Sequence, residues 1–133
     1  MHYDIITVAV ARCLADANIS SLVGTKVYNN VPKGTVRPYL VVTVDDAVNL
    51  PDKTSGELFT ELELTFDHWD ESFGQKNILM MANYLTDEFH LNSLTLTLGS
   101  RNLLMMRERY NSFLESDGLA YHGITTFRLL IED

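Results

Sequence analysis

Histidine, cysteine and the carboxylates are the side chains of this 133-residue chain that could do chemistry. His122 lies in the closing stretch "DGLAYHGITTFRLLIED" (117–133), where apolar and polar residues alternate as in a strand. It shares the outward phase there with Thr126, Arg128 and Glu132. That is the setting of a solvated or interface histidine, and no serine or cysteine stands in a motif that it could activate. "DHWD" (67–70) brings a histidine between two carboxylates. On a strand, Asp67 and His68 point to opposite faces, and His68 with Asp70 makes two ligands where a metal site needs more. Asp45, Asp46 and Asp52 lack the spacing of a calcium loop. Cys13 is the one cysteine, which excludes an internal disulfide and a thiolate cluster, and its apolar helical surroundings predict an inert buried thiol. No Gly-rich phosphate loop, H-E-x-x-H or G-x-S-x-G occurs. The expectation is no enzyme, with no catalytic residue, cofactor or metal.

The composition is that of a globular chain, 46% apolar and 21% charged, and its length predicts a single domain over 1–133. Ten basic against eighteen acidic residues give a net charge of −8, which repels phosphate backbones. The opening "MHYDIITVAVAR" has no basic leader, and its apolar run ends at Arg12, too early for a membrane span. Synthesis in a reducing cytoplasm, away from membranes, is expected.

These residues must be positioned by a modest set of elements. A first helix is predicted over 4–17, with Asp4 as its N-cap and Ile6, Val10, Cys13, Leu14 and Ala17 on its apolar stripe. Asn18 and Gly24 bracket its exit, and Val27 and Tyr28 form a very short strand. "YLVVTV" (39–44) reads as a central strand, and 45–57 as a long protruding loop broken by Pro51 and Gly56. "ELFTELELTFDHW" then alternates, with Leu58, Leu62, Leu64 and Phe66 inward and Glu57, Glu61, Glu63 and Asp67 outward. Trp69 falls in the outward phase. Ser72 and Gln75 fit a capping box, opening a helix whose inner stripe is Ile78, Met81, Ala82, Leu85 and Phe89. Three strands are expected afterwards. They are 94–98, then 103–115 with Leu104, Met106, Tyr110 and Leu114 on one side, then a final strand with Leu119, Tyr121, Phe127, Leu129 and Ile131 inward. On this pattern Met81 and Met106 fill the core, while Met80 and Met105 are left to an adaptable outer surface. The fold class is α+β: a mostly antiparallel or mixed sheet with two helices packed on one face. Its other face stays wet or meets another protein.

"LVGTKVY" (22–28), "RPYLVV" (37–42), the strand-to-helix passage "LELTFDHWDESFGQKNILMMANYL" and the closing D-G-x-x-Y-H-G (117–123) follow one another in a familiar order. The chain thereby resembles the bacteriophage tail-completion family, also called head-to-tail joining or tail-terminator proteins, with relatives in prophages and gene-transfer agents. The resemblance implies a structural virion protein forming a ring, typically a hexamer, at the head-proximal end of a tail tube. Such a ring stops tube polymerisation and docks to the head-tail connector. It implies a homo-oligomer, a major tail tube protein and a head-completion protein as partners, DNA passing through the lumen without specific binding, and no cofactor, metal or enzymatic activity.

Ring closure needs one patch to meet a different patch on its neighbour. Asp45, Asp46, Asn49, Leu50, Lys53, Glu57 and Phe59, in and beside the predicted loop, are the expected contacts to the adjacent subunit or the tube. Glu61, Glu63 and Asp67 are the expected acidic residues facing the lumen or the ring. The other readings are a small cytoplasmic ligand-binding or regulatory α+β domain and a hydrolase built on His122. A closed ring in solution separates the first reading from both.

Overall fold

The computed structural model describes residues 2–51, 58–71 and 74–132. Its elements are α1 (His2–Ala15), α2 (Ala17–Val23), β1 (Val27–Tyr28), β2 (Tyr39–Pro51), β3 (Leu58–Asp70), α3 (Lys76–Phe89), β4 (Arg101–Leu114) and β5 (Tyr121–Glu132). The strands form one sheet in the order β1-β2-β3-β5-β4. Every ladder is antiparallel except the short parallel pairing of β1 with β2. The α+β expectation is met, with three helices where two were expected.

The core explains why the helices lie on one side. On β3, Leu62, Leu64 and Phe66 are buried, as strict alternation requires, and opposite them stand Val42 and Val44 of β2 and Thr125, Phe127 and Leu129 of β5. Phe66, Phe89 and Phe127 form a three-ring cluster with centroids 4.8, 5.7 and 5.9 Å apart, tying α3 to the two central strands. The predicted stripe of α3 is buried at all five positions. Its start is different: Ser72 lies outside the described residues, and Gln75 caps with no side-chain bond, reaching instead to Ser112 Oγ at 3.3 Å.

The N-terminal helix departs from expectation in extent and phase. The chain bends by 88° at Asp16, whose side chain accepts from the Ile19 N–H at 2.9 Å and starts the separate α2. Cys13 is buried as expected, but Ile5 and Ala9 are buried where Ile6 and Val10 were predicted, Asp4 is buried too, and Leu14 is exposed. Asp4 is no N-cap. Its carboxylate accepts from the Thr97 hydroxyl and N–H and the Leu98 N–H, latching α1 to a segment 93 residues away. Those bonds, that to the Thr97 hydroxyl foremost, hold its pKa below the usual range. No single helix among the described residues is long and apolar enough to cross a membrane; α1 and α2 pass only when joined across their bend.

Two strand expectations are corrected for one shared reason. A bulge shifts the phase of alternation by one residue. At Ala47 it carries β2 on to Pro51, so that 45–51 pairs with 58–63 and is strand, not loop. At Leu103 it turns Met105 into the core and leaves Leu104 and Met106 on the far face, reversing the predicted sides. A third stands at Glu108. Leu119 is exposed in the turn before β5, while Phe127, Leu129 and Ile131 are inward as expected. Residues 94–98 form no strand. Leu94 and Leu96 enter the core, and the segment is held by Asp4 and by Asn102 Oδ1 on the Leu94 N–H.

Two inward positions make the packing testable. A Cβ on Gly123 would sit 2.7 Å from Ile78 Cγ2, so β5 touches α3 where only glycine fits. Gly123→Ala should cost about 1–3 kcal/mol in urea unfolding, and measurably less in an Ile78→Ala background. His68 is buried with neither ring nitrogen hydrogen-bonded, and Asp70 Oδ2 is 3.6 Å away. Burial, opposed by Asp70 and helped by His122, lowers its pKa to about 4. The fold therefore holds it neutral while the unfolded chain takes up a proton at about pH 6.5. Its contribution is full above that pH and is lost as pH falls toward 4, an effect of about 3 kcal/mol. His68→Leu should flatten the pH dependence of stability across that window.

Candidate functional site

The face of the sheet opposite the helices carries the side chains left over from the core. The outward phase of β3 presents Glu61, Glu63, Asp67 and Trp69. Register places Leu130, Arg128, Ile124 and His122 of β5 opposite them in turn. The bulges at Leu103 and Glu108 let β4 add Leu104, Met106 and Phe113 to the same side, opposite Leu130, Arg128 and His122. Long strands thus lay three chemically distinct zones end to end.

The first zone is apolar. Leu104, Met106 and Leu130, with Arg128 and Glu108 at the margin, line an open hollow of about 270 Å³. Leu104 and Met106 are 43% and 45% exposed. The middle zone is a charge network. The Arg128 guanidinium reaches Glu108 at 2.6 Å, Glu61 at 3.1 Å and Glu63 at 3.5 Å. Glu108 first and Glu61 next push its pKa up, so it is a fixed charge. Arg109 adds contacts at 3.6 Å to Glu63 and 3.9 Å to Glu108.

The third zone is an aromatic cage around His122. Its ring stacks on Trp69 with centroids 4.0 Å apart, and Phe113 meets it edge-on at 5.0 Å. Tyr39 continues the row against Trp69 at 5.3 Å. His122 Nε2 is 2.7 Å from Asp67 and Nδ1 is 3.0 Å from Glu115, which also accepts from the Trp69 indole N–H. A neutral imidazole can donate to only one of those carboxylates, whereas the imidazolium donates to both. The histidine expected to be solvated or at an interface is 9% exposed, which corrects the solvated alternative. Both ring nitrogens are engaged, and this geometry clamps two carboxylates where a general base would leave one nitrogen free for substrate. Cys13 lies in the core behind the sheet, and burial raises its thiol pKa far above the usual range.

The predicted site residues are distributed as follows. Glu61, Glu63 and Asp67 are brought together on this face, paired by Arg128, Arg109 and His122 so that they are not a bare acidic stripe. Asp45 is exposed on β2 opposite Glu63, and Asp46, Asn49 and Leu50 pair with Leu62, Thr60 and Phe59. Phe59 also stands opposite Glu132 of β5. Lys53 and Glu57 lie outside the described residues. Sequence reasoning missed Arg128, Glu108, Glu115 and Phe113 as members of the site. The usable signal was the shared outward phase of His122 and Arg128, which matches acids at the same spacing on β3.

The chain is thus an α+β protein whose long sheet is covered by helices on one face and carries paired charges on the other. The sequence profile of the tail completion protein gp17 family matches residues 9–132, and the chain belongs to that family. It is thereby a structural protein of a phage-type tail. No curated protein matches it in sequence. Eleven chains of solved structures do match. One belongs to the virion of a native gene transfer agent particle and is 22% identical, covering 98% of this chain and 96% of that one with a TM-score of 0.87. The two share a fold.

The cage sets the last expectation here. His122→Ala leaves Asp67 and Glu115 facing each other across a void beside Trp69, so stability should fall by about 1–3 kcal/mol. Thermal melting with tryptophan fluorescence reads this out, and unchanged melting would mean the cage is slack.

Proposed function

We propose that the protein is a non-enzymatic component of the virion, located at the head-tail junction. Copies close into a ring of about six on the head-proximal end of the tail tube, ending its growth and docking the head-completion protein. The match to the tail completion family over residues 9–132 carries this reading. The fold shared with a chain of a gene transfer agent virion supports it. So does a sheet face on which Glu61, Glu63, Asp67 and Glu108 are paired with Arg128 or His122 of the same chain, as suits a surface exposed to passing DNA.

Electrostatics gives that surface its task. A lumen must let DNA slide, and a basic wall would hold it by releasing counterions. At a net charge of −8 per copy the protein repels DNA, while Arg128 and Arg109 are held in check by Glu61, Glu63 and Glu108. The paired face lines the lumen and the helices lie outside.

Two measurements test this. Native mass spectrometry of the purified chain, alone or with tail tubes, should show a closed ring, and a monomer under both conditions would overturn the reading. Glu61→Gln with Glu63→Gln frees Arg128 from two of its three carboxylates. Exposed ion pairs contribute little to stability, so the fold and ring should survive. DNA delivery by particles carrying both changes should slow severalfold, and normal delivery would remove this face from the lumen.

A further inference from the structure

Among the described residues, the two edges of the sheet are each open over half their length, and the open halves lie at opposite ends. On β4, the upper part is covered: the Leu91 N–H donates to Met105 O at 2.8 Å, and the Arg107 N–H to His90 Nδ1 at 2.9 Å. In the lower part, 109–114, no described residue bonds to the outer backbone edge. The hairpin bond from Glu115 N–H to Ala120 O sets the ladder's phase, so Phe113, Asn111 and Arg109 bond to β5. That leaves the N–H and C=O of Tyr110, Ser112 and Leu114 pointing outward. On β2 the situation is reversed. Leu40 N–H bonds to Lys26 O and Val42 O accepts from Asn29, but from Val44 to Pro51 no described group bonds to that edge.

We infer that the open half of β4 pairs with the open half of β2 of the next copy, making one continuous antiparallel sheet around the ring. This rests on the ring reading and states what closes it. If the copies share one orientation about a ring axis, β4 and the neighbour's β2 run in opposite directions, as antiparallel pairing needs. The offset also fits. Phe113 is level with His122, Trp69 and Tyr39, so meeting Asp45 of the next copy requires a shift of six residues. An even shift keeps every side chain on its own face. Six residues at about 3.3 Å give roughly 20 Å, against roughly 19 Å for four strands spaced about 4.8 Å apart. The strands would lean by about 45°, at the upper end of the tilt found in closed barrels.

Charge selects the same partner. The open part of β4 carries Arg109 and no acidic residue, whereas that of β2 carries Asp45 and Asp46 and no basic residue. Pairing either edge with itself in a two-fold dimer would oppose like charges. A heterologous contact, which closes rings, joins unlike ones.

Asp45 and Phe113 would face each other as a non-hydrogen-bonded pair, with Cα atoms about 4.5 Å apart and within disulfide reach. Rings of Asp45→Cys with Phe113→Cys, oxidised, should run as a ladder of linked oligomers ending at the ring size. Phe113→Cys alone should give none, Cys13 being buried. Ser112→Pro removes an outward N–H at an edge, a change strands tolerate, and should leave the circular dichroism spectrum intact while weakening assembly at least tenfold. Rings that give no cross-link at Asp45→Cys, nor with Thr43→Cys in its place, would overturn edge pairing and spare the ring. Rings formed by Ser112→Pro at native concentration would overturn it equally. A native chain that forms no ring would remove both readings.

Discussion

One sheet face is covered by helices and the other is not, and the rest of the molecule follows from this asymmetry. Four strands of 12 to 14 residues are paired over nearly their full length, so the far face is long. α1, α2 and α3 can bury only one side of it. A bare apolar far face would aggregate, and a bare charged one would repel itself. This protein solves the problem with pairs at matched register. Glu63 stands opposite Arg128, and Trp69 opposite His122. Each pair neutralises or covers its partner without a second layer of structure.

That solution gives two basic side chains of β5 their meaning. Arg128 holds three carboxylates from two neighbouring strands, and His122 holds two more beneath an indole ring. Both act as clamps. A histidine with both nitrogens engaged and an aromatic ring on its face is organised to keep its surroundings still, which suits a wall more than a reaction centre. Among the described residues, the apolar hollow at Leu104, Met106 and Leu130 is left without such cover.

Much of this was legible in the sequence wherever a single period ran unbroken. The inner stripe of α3 and the alternation of β3 were read residue by residue, because 3.6 and 2.0 are clean signals over a dozen positions. Failures came where one residue was inserted. The bulges at Ala47, Leu103 and Glu108 erase alternation locally, which made half of β2 look like a loop and exchanged Met105 with Met106. α2, at seven residues, is too short to show a period, and the only local mark of the break is Asp16 three residues before Ile19. The Asp4–Thr97 latch joins residues 93 apart and has no local signature at all. Glu61, Glu63 and Asp67 were placed on the correct face, but their partners could not be named without the strand order. A strand's phase says which way a side chain points and nothing about what it meets.

The same bulges that hid the fold also shape its edges. An extra residue increases local twist and bends a strand away from a flat ladder, a common means of keeping an edge from indiscriminate pairing. Here they sit in both outermost long strands, and β1 and the segment at 90–94 each cover only half of an edge. Half-covering leaves room for one partner at one stagger and for no flush, unshifted contact. An edge closed everywhere would make a monomer, and an edge open everywhere would make fibres. Edges open over part of their length, as among the described residues here, lie between those two cases.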